Sequence, residues 1–186
     1  HDQNPNFSAG FGFSSLSIAD NVFMSGAVAP WFSYIVVKPY GHGHSLSNLS
    51  VIGNNFKTIN GNIERVDRVD TTYSDLNPAR YSNVRFEGNN FLNISTKTEN
   101  PLVTDHLQSG ATARWSVSTD GALPFGGFAR NVTAVVAKNA LTTSNGTTVC
   151  DMPFVGLQKG QQKDQIELNF PTATKGKVSV TISCDA

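Results

Sequence analysis

The eleven residues LSNLSVIGNNF, Leu46 to Phe56, return as YSNVRFEGNNF at Tyr81 to Phe91, and FSSLSIADNVF precedes them at Phe13 to Phe23. Aligned, Leu16, Leu49 and Val84 share one apolar position, and Ile18, Val51 and Phe86 share the next but one. Ser17, Ser50 and Arg85 lie between them. That alternation predicts a short strand with one buried face. Asn21, Asn54 and Asn89 then align, followed two residues later by Phe23, Phe56 and Phe91. The steps between copies are 33 and 35 residues. A period of this size predicts stacked units, and no 3.6-residue stripe accompanies it, so the helical repeats are excluded. Three strands of ~5 residues plus turns need about 25 residues, leaving the rest of each unit as loops outside the stack. Identical positions of successive units then lie over one another as apolar ladders. Asn tolerates left-handed corners and can bond the next Asn, so the aligned asparagines read as a ladder at a tight corner.

Composition agrees. The chain has 186 residues, enough for a core, and is rich in Asn, Ser, Thr, Gly and Val. Lys plus Arg and Asp plus Glu number 14 each, so the net charge is zero. That argues against a non-specific nucleic-acid binder, which must neutralise phosphates. No basic amphipathic stretch marks a membrane surface, and no apolar run is long enough to cross a bilayer. The opening HDQNPNFSAG lacks the layout of a signal peptide and reads as the start of a mature product or an excised fragment. Cys150 and Cys184 are either one bridge closing the C-terminal region or two buried thiols. Sequons stand at Asn6, Asn48, Asn93, Asn131 and Asn145.

The period fails beyond about Thr104. RNVTAVVAKNAL, 130–141, reads as a degraded fourth copy. TARWSVST places Trp115 and Val117 on one face, and DQIELNF does so with Ile166, Leu168 and Phe170. KVSVTISC does the same with Val178, Val180, Ile182 and Cys184, and PTATKG between the last two predicts a hairpin. The expected division is therefore 1–103 as coils and 104–186 as late coils with an antiparallel β cap or small sandwich.

SNLSVIGNNF and SNVRFEGNNF resemble coils of right-handed parallel β-helix proteins, the superfamily of pectate-lyase-like and polygalacturonase-like enzymes and of bacteriophage tailspikes. The resemblance covers about residues 10–95. It implies an all-β solenoid, a polysaccharide ligand or substrate, and, for a tailspike-like part, a homotrimer at an extracellular or virion surface. YGHGHS, Tyr40 to Ser45, resembles the histidine motif of polygalacturonase-like hydrolases, which makes His42 a catalytic candidate. Such chemistry needs a pair of carboxylates, and the preceding unit offers Asp20 alone. The lyases of the superfamily hold calcium with acidic residues, and IERVDRVD, 63–70, makes Asp67 and Asp70 the candidates for such a site. Its alternation leaves no clean acidic face and favours a salt-bridged surface. Asp105 and His106 are neighbours on a strand and point to opposite faces, so they form no dyad.

Trp31, Tyr34 and Tyr40, with Phe32, cluster between the first two units, where Pro30 and Pro39 mark an extruded loop. Sugar rings pack their C–H faces on Trp and Tyr, so these aromatics with His42 and His44 are the candidate glycan contacts. The alternative is a hydrophobic cluster that holds the loop down. The expectation for function is a non-catalytic glycan-binding spike or adhesin module. The second expectation is a polysaccharide lyase or glycoside hydrolase, or a fragment of one.

Overall fold

The computed structural model describes residues 12–41 and 43–185. The protein is all-β, and its described helical turns are two short 3-10 segments, Pro78–Arg80 and Pro124–Gly126. Among the described residues no helix is long and apolar enough to cross a membrane.

The first half follows the repeat. Its strands are β1 (Gly12–Ala19), β2 (Val22–Ser25), β3 (Ile35–Val37), β4 (Ser45–Ile52), β5 (Asn55–Thr58), β6 (Asp67–Val69), β7 (Tyr81–Glu87) and β8 (Asn90–Leu92). They form three small sheets, in the orders β1-β4-β7, β2-β5-β8 and β3-β6. Every pairing within them is parallel. The registers are those of the repeat: Leu16 pairs with Leu49 and Leu49 with Val84, and Phe23 pairs with Phe56 and Phe56 with Phe91. The phenyl rings stack, with centroids 4.9 Å apart from Phe23 to Phe56 and 5.8 Å from Phe56 to Phe91. β3 lies in the segment read as an extruded loop, yet it pairs in register with β6 like the other strands.

The asparagine ladder forms too. Asn21 donates its backbone N–H to Asn54 Oδ1 at 3.0 Å, and Asn54 donates its own to Asn89 Oδ1 at 3.0 Å. The left-handed corner lies one residue earlier than the sequence suggests. Asp20, Gly53 and Gly88 carry the positive φ values, 57°, 68° and 62°. The nearest atom to a Cβ on Gly53 would be Asp20 Oδ1, the end of an exposed side chain that can swing away, so it is the positive φ that favours glycine at this corner. A second left-handed column, Ser15, Asn48 and Asn83, kinks each first strand at the same place. There Asn83 Nδ2 donates to Asn48 Oδ1 at 2.9 Å.

The second half is antiparallel. Its strands are β9 (Leu102–Ser118), β10 (Asn131–Ala137), β11 (Leu141–Thr142), β12 (Thr148–Val149), β13 (Phe154–Lys159) and β14 (Gln165–Ser183). β14 pairs with β9, β10, β11 and β13. Two expectations are corrected here. Residues 130–141 are not a late coil, because β10 runs antiparallel to β14. PTATKG is not a hairpin, because β14 runs straight through it beside the long β9. Register shifts between Asn169 and Thr174 and between Thr174 and Gly176 absorb the extra residues, and the buried Thr174 anchors the bend. The predicted faces hold: Trp115, Val117, Ile166, Leu168, Phe170, Val178, Val180, Ile182 and Cys184 are all buried in the core.

Asp185 and Asn100 cover the outer edge of β7. Asp185 Oδ2 accepts from the backbone of Val84 at 3.0 Å, and Phe86 exchanges backbone bonds with Asn100. Cys184 donates its N–H to Asn100 Oδ1 at 3.0 Å. Both cysteines are free thiols: Cys150 is exposed and Cys184 buried. Burial, and then Asp185, push the Cys184 thiol up to about 12, so it stays protonated and unreactive.

Candidate functional site

The β3–β6 sheet turns one face outward, and the aromatics of the 30–40 segment flank it. A backbone bond from Phe32 N–H to Ala29 O, 2.9 Å, closes a turn with Pro30 at its second position. Glu64 N–H clamps that turn to the next unit through Pro30 O at 2.9 Å. The turn sends Phe32 inward and Trp31 outward, where its side chain is 65% exposed. Beside Trp31 lies a cleft of about 520 Å³ whose walls include Ser33, Val36, Arg68, Asp70 and Thr71. Arg68 is held across the face by Glu64 at 2.9 Å.

Tyr34 does not join that face. Its hydroxyl donates to Lys57 O at 2.6 Å and meets Ser25 Oγ at 2.7 Å, while its ring packs among Phe23, Phe32 and Phe56. It is the strut of the hydrophobic cluster that holds the loop down. Tyr40 stacks on Tyr73, centroids 4.4 Å apart and planes 20° apart. Lys38 lies over Tyr73, 5.0 Å from the ring centroid, and pairs with Asp70 at 2.9 Å. Tyr73 was missed by the reading of single loops. Its signal is its position 33 residues after Tyr40, one step of the repeat. His44 is buried, 2% exposed, with its ring 5.8 Å from Phe13, so it presents no surface to a ligand. His42 lies outside the described residues.

The carboxylates of this region are committed within the fold. Asp67 is fully buried. It accepts from Arg65 at 3.2 and 2.9 Å, from the Phe125 backbone at 2.5 Å, and from the Thr98 hydroxyl. Arg65 in turn donates to Gly121 O and Leu123 O, so the pair ties β6 to the second half. A cation at Asp67 would have to displace Arg65 and Phe125. Among the described residues no three His, Cys, Asp or Glu side chains are placed to share a metal ion. Asp20 is exposed at the first left-handed corner. Asp105 pairs with Lys177 at 2.7 Å while His106 packs 5.9 Å from Trp115, on the other side of β9.

Bonds from the Thr72 hydroxyl first, then from Lys38, hold the Asp70 carboxyl down at about 2. The folded value lies below the unfolded one, about 3.9, so these bonds stabilise the fold above about pH 4 and are lost as pH falls through about 2. Carbon-13 titration of the Asp70 carboxyl should therefore show a midpoint near about 2. Thr72→Val should move it up toward the ordinary carboxylate range, and an unmoved midpoint would contradict this assignment.

Chemically, the face offers one exposed indole, a stacked tyrosine pair and fixed, mutually paired charges. That arrangement suits packing against a flat C–H surface with hydroxyls to bond at its rim. No protein-family model, curated protein or solved structure matches the chain.

Proposed function

We propose that the chain is a non-catalytic glycan-binding module of a spike or adhesin, recognising cell-surface polysaccharide. Its scaffold in this reading is a short right-handed parallel β-helix of the pectate-lyase-like and tailspike-like kind, closed by the antiparallel second half. The in-register parallel pairing of the units supports that scaffold, and parallel crossovers are right-handed almost without exception. The setting that goes with it is an extracellular or virion surface, with three copies in the assembly.

One observation carries the binding role: Trp31 is held 65% exposed on a clamped turn beside a polar-rimmed cleft. Other apolar side chains of the chain are as exposed, Phe154 and Met152 among them, but an indole fixed on a clamped turn is the one whose flat face suits the C–H face of a sugar ring. The committed carboxylates favour binding over hydrolysis, because a general acid must be free to exchange its proton near the working pH. Asp70 is held far below that range, and every oxygen of Asp67 already accepts a bond within the fold.

Trp31→Ala should weaken binding to the recognised polysaccharide about thirtyfold, the scale of a ~2 kcal/mol anchor, and leave the thermal midpoint within a degree or so. Titration calorimetry beside a melting curve reads both. Unchanged affinity would remove Trp31 from the site.

A further inference from the structure

Each unit meets the next through one repeated set of contacts, and the first unit turns the same set outward. On the far side, Asn100 and Asp185 cover β7 of the third unit, while β8 ends its sheet. On the near side, no described strand pairs with the outer edge of β1, β2 or β3. Leu16 is 51% exposed there, while Leu49 in the same column is 2% exposed. Phe13, Leu16, Ile35, Val37, Leu46 and Leu49 open onto a cavity of about 560 Å³ at this end.

The interfaces already made say what fits. In each, the asparagine of one unit donates both its backbone N–H and its side-chain N–H to the Oδ1 of the next: Asn21 to Asn54, and Asn54 to Asn89. Asn21 Oδ1 is the next acceptor in that column, and no described residue donates to it. The reverse bond also repeats. Asn54 Nδ2 donates back to Ile18 O, and Asn89 Nδ2 to Val51 O, each at 2.9 Å. Asn21 Nδ2 instead turns to its own Ala19 O at 2.9 Å. The Phe column is likewise covered by Phe56 on one side of Phe23.

We propose that this end is a docking surface for one further coil of the same pattern, carried by polypeptide outside residues 12–185. The pattern is apolar–polar–apolar, a left-handed corner, then Asn, any residue, and Phe. Such a segment continues the parallel interface the chain builds twice, donating to Asn21 Oδ1 and covering Leu16, Ile18 and Phe23. It also removes three open strand edges, which are otherwise templates for unwanted pairing. The inference is independent of what the Trp31 face binds.

A tandem copy of residues 12–44 placed before Gly12 tests it, because His44 of the copy then runs into Gly12 as His44 runs into Ser45. Hydrogen exchange at the β1 and β2 amides that face away from β4 and β5 should slow by roughly 100-fold, and the thermal midpoint should rise by several degrees. The same copy carrying Asn21→Ala and Phe23→Ser within it should lose both gains. Unchanged exchange, or a copy cut by protease as fast as an unfolded chain, would overturn the proposal. So would failure of the extended protein to fold, since its new junction repeats one the chain already makes. Light scattering of the unaltered chain over a range of concentrations gives a second reading. A constant mass agrees with the proposal, whereas a dimer dissolved by Leu16→Glu would mean that the end takes a second copy instead.

Discussion

Asn54→Ala should lower stability by about 3–5 kcal/mol, read as a shift in the urea midpoint at constant slope. Asn54 is fully buried. Its Oδ1 accepts from the backbone and side chain of Asn21, and its Nδ2 donates to Ile18 O, Ile52 O and Asn89 Oδ1. Alanine removes the acceptor of Asn21 and every Nδ2 bond, keeps only the backbone donation to Asn89 Oδ1, and leaves the Asn21 N–H and the Ile18 carbonyl without their inter-unit bonds. Each net bond is worth about 1 kcal/mol, and each buried group left unpaired costs about 1–3 kcal/mol. Such a loss is a large part of the 5–15 kcal/mol that holds a typical domain folded. Asn21→Ala is the control. Asn21 is exposed and accepts nothing from the described residues, so its loss should cost about 1 kcal/mol or less. Equal effects at the two positions would mean that the ladder is not what holds the units together.

The second large effect belongs to Asp67→Asn, which should cost about 3–5 kcal/mol. The substitution keeps the shape and removes the charge, leaving the Arg65 guanidinium only partly exposed and without its counter-ion. It also sets an amide N–H₂ against donors, among them the Arg65 guanidinium and the Phe125 backbone N–H. That N–H anchors the turn in which Phe125 adopts φ 51°, an unfavourable value for a bulky residue. Loss of the bond should therefore free the 119–127 turn first, and its amides should exchange faster than those of β4 and β5. Exchange that rises evenly along the chain would contradict a local latch.

Why some of this was legible in the sequence and some was not follows from how local each signal is. The Leu16, Ile18, Asn21 and Phe23 columns were legible because a stacked unit must repeat whatever its neighbour needs at the same position. The corner was misplaced by one residue because Asp20, Gly53 and Gly88 share a backbone angle and not a residue type. Asp67 read as one charge in an alternating run, since the distant groups that bond it, Thr98 and Phe125, come from 31 and 58 residues away. Tyr34 read as an exposed platform because nothing local predicts its bond to Lys57 O. Pro171 and Gly176 read as turn residues, and they are residues of a bend that a 17-residue partner strand carries through. Among the candidate site residues, Trp31 and Tyr40 reach the surface face, whereas Tyr34 and His44 serve packing.

The measurement that tests the central claim most directly is size exclusion with light scattering of the protein mixed with a panel of bacterial surface and uronic-acid polysaccharides. A polymer that keeps its mass and co-elutes with the protein, and no longer does so with Trp31→Ala, is the predicted result. A polymer whose mass falls would make the chain an enzyme, and a panel in which no polymer co-elutes would contradict the glycan-binding reading itself.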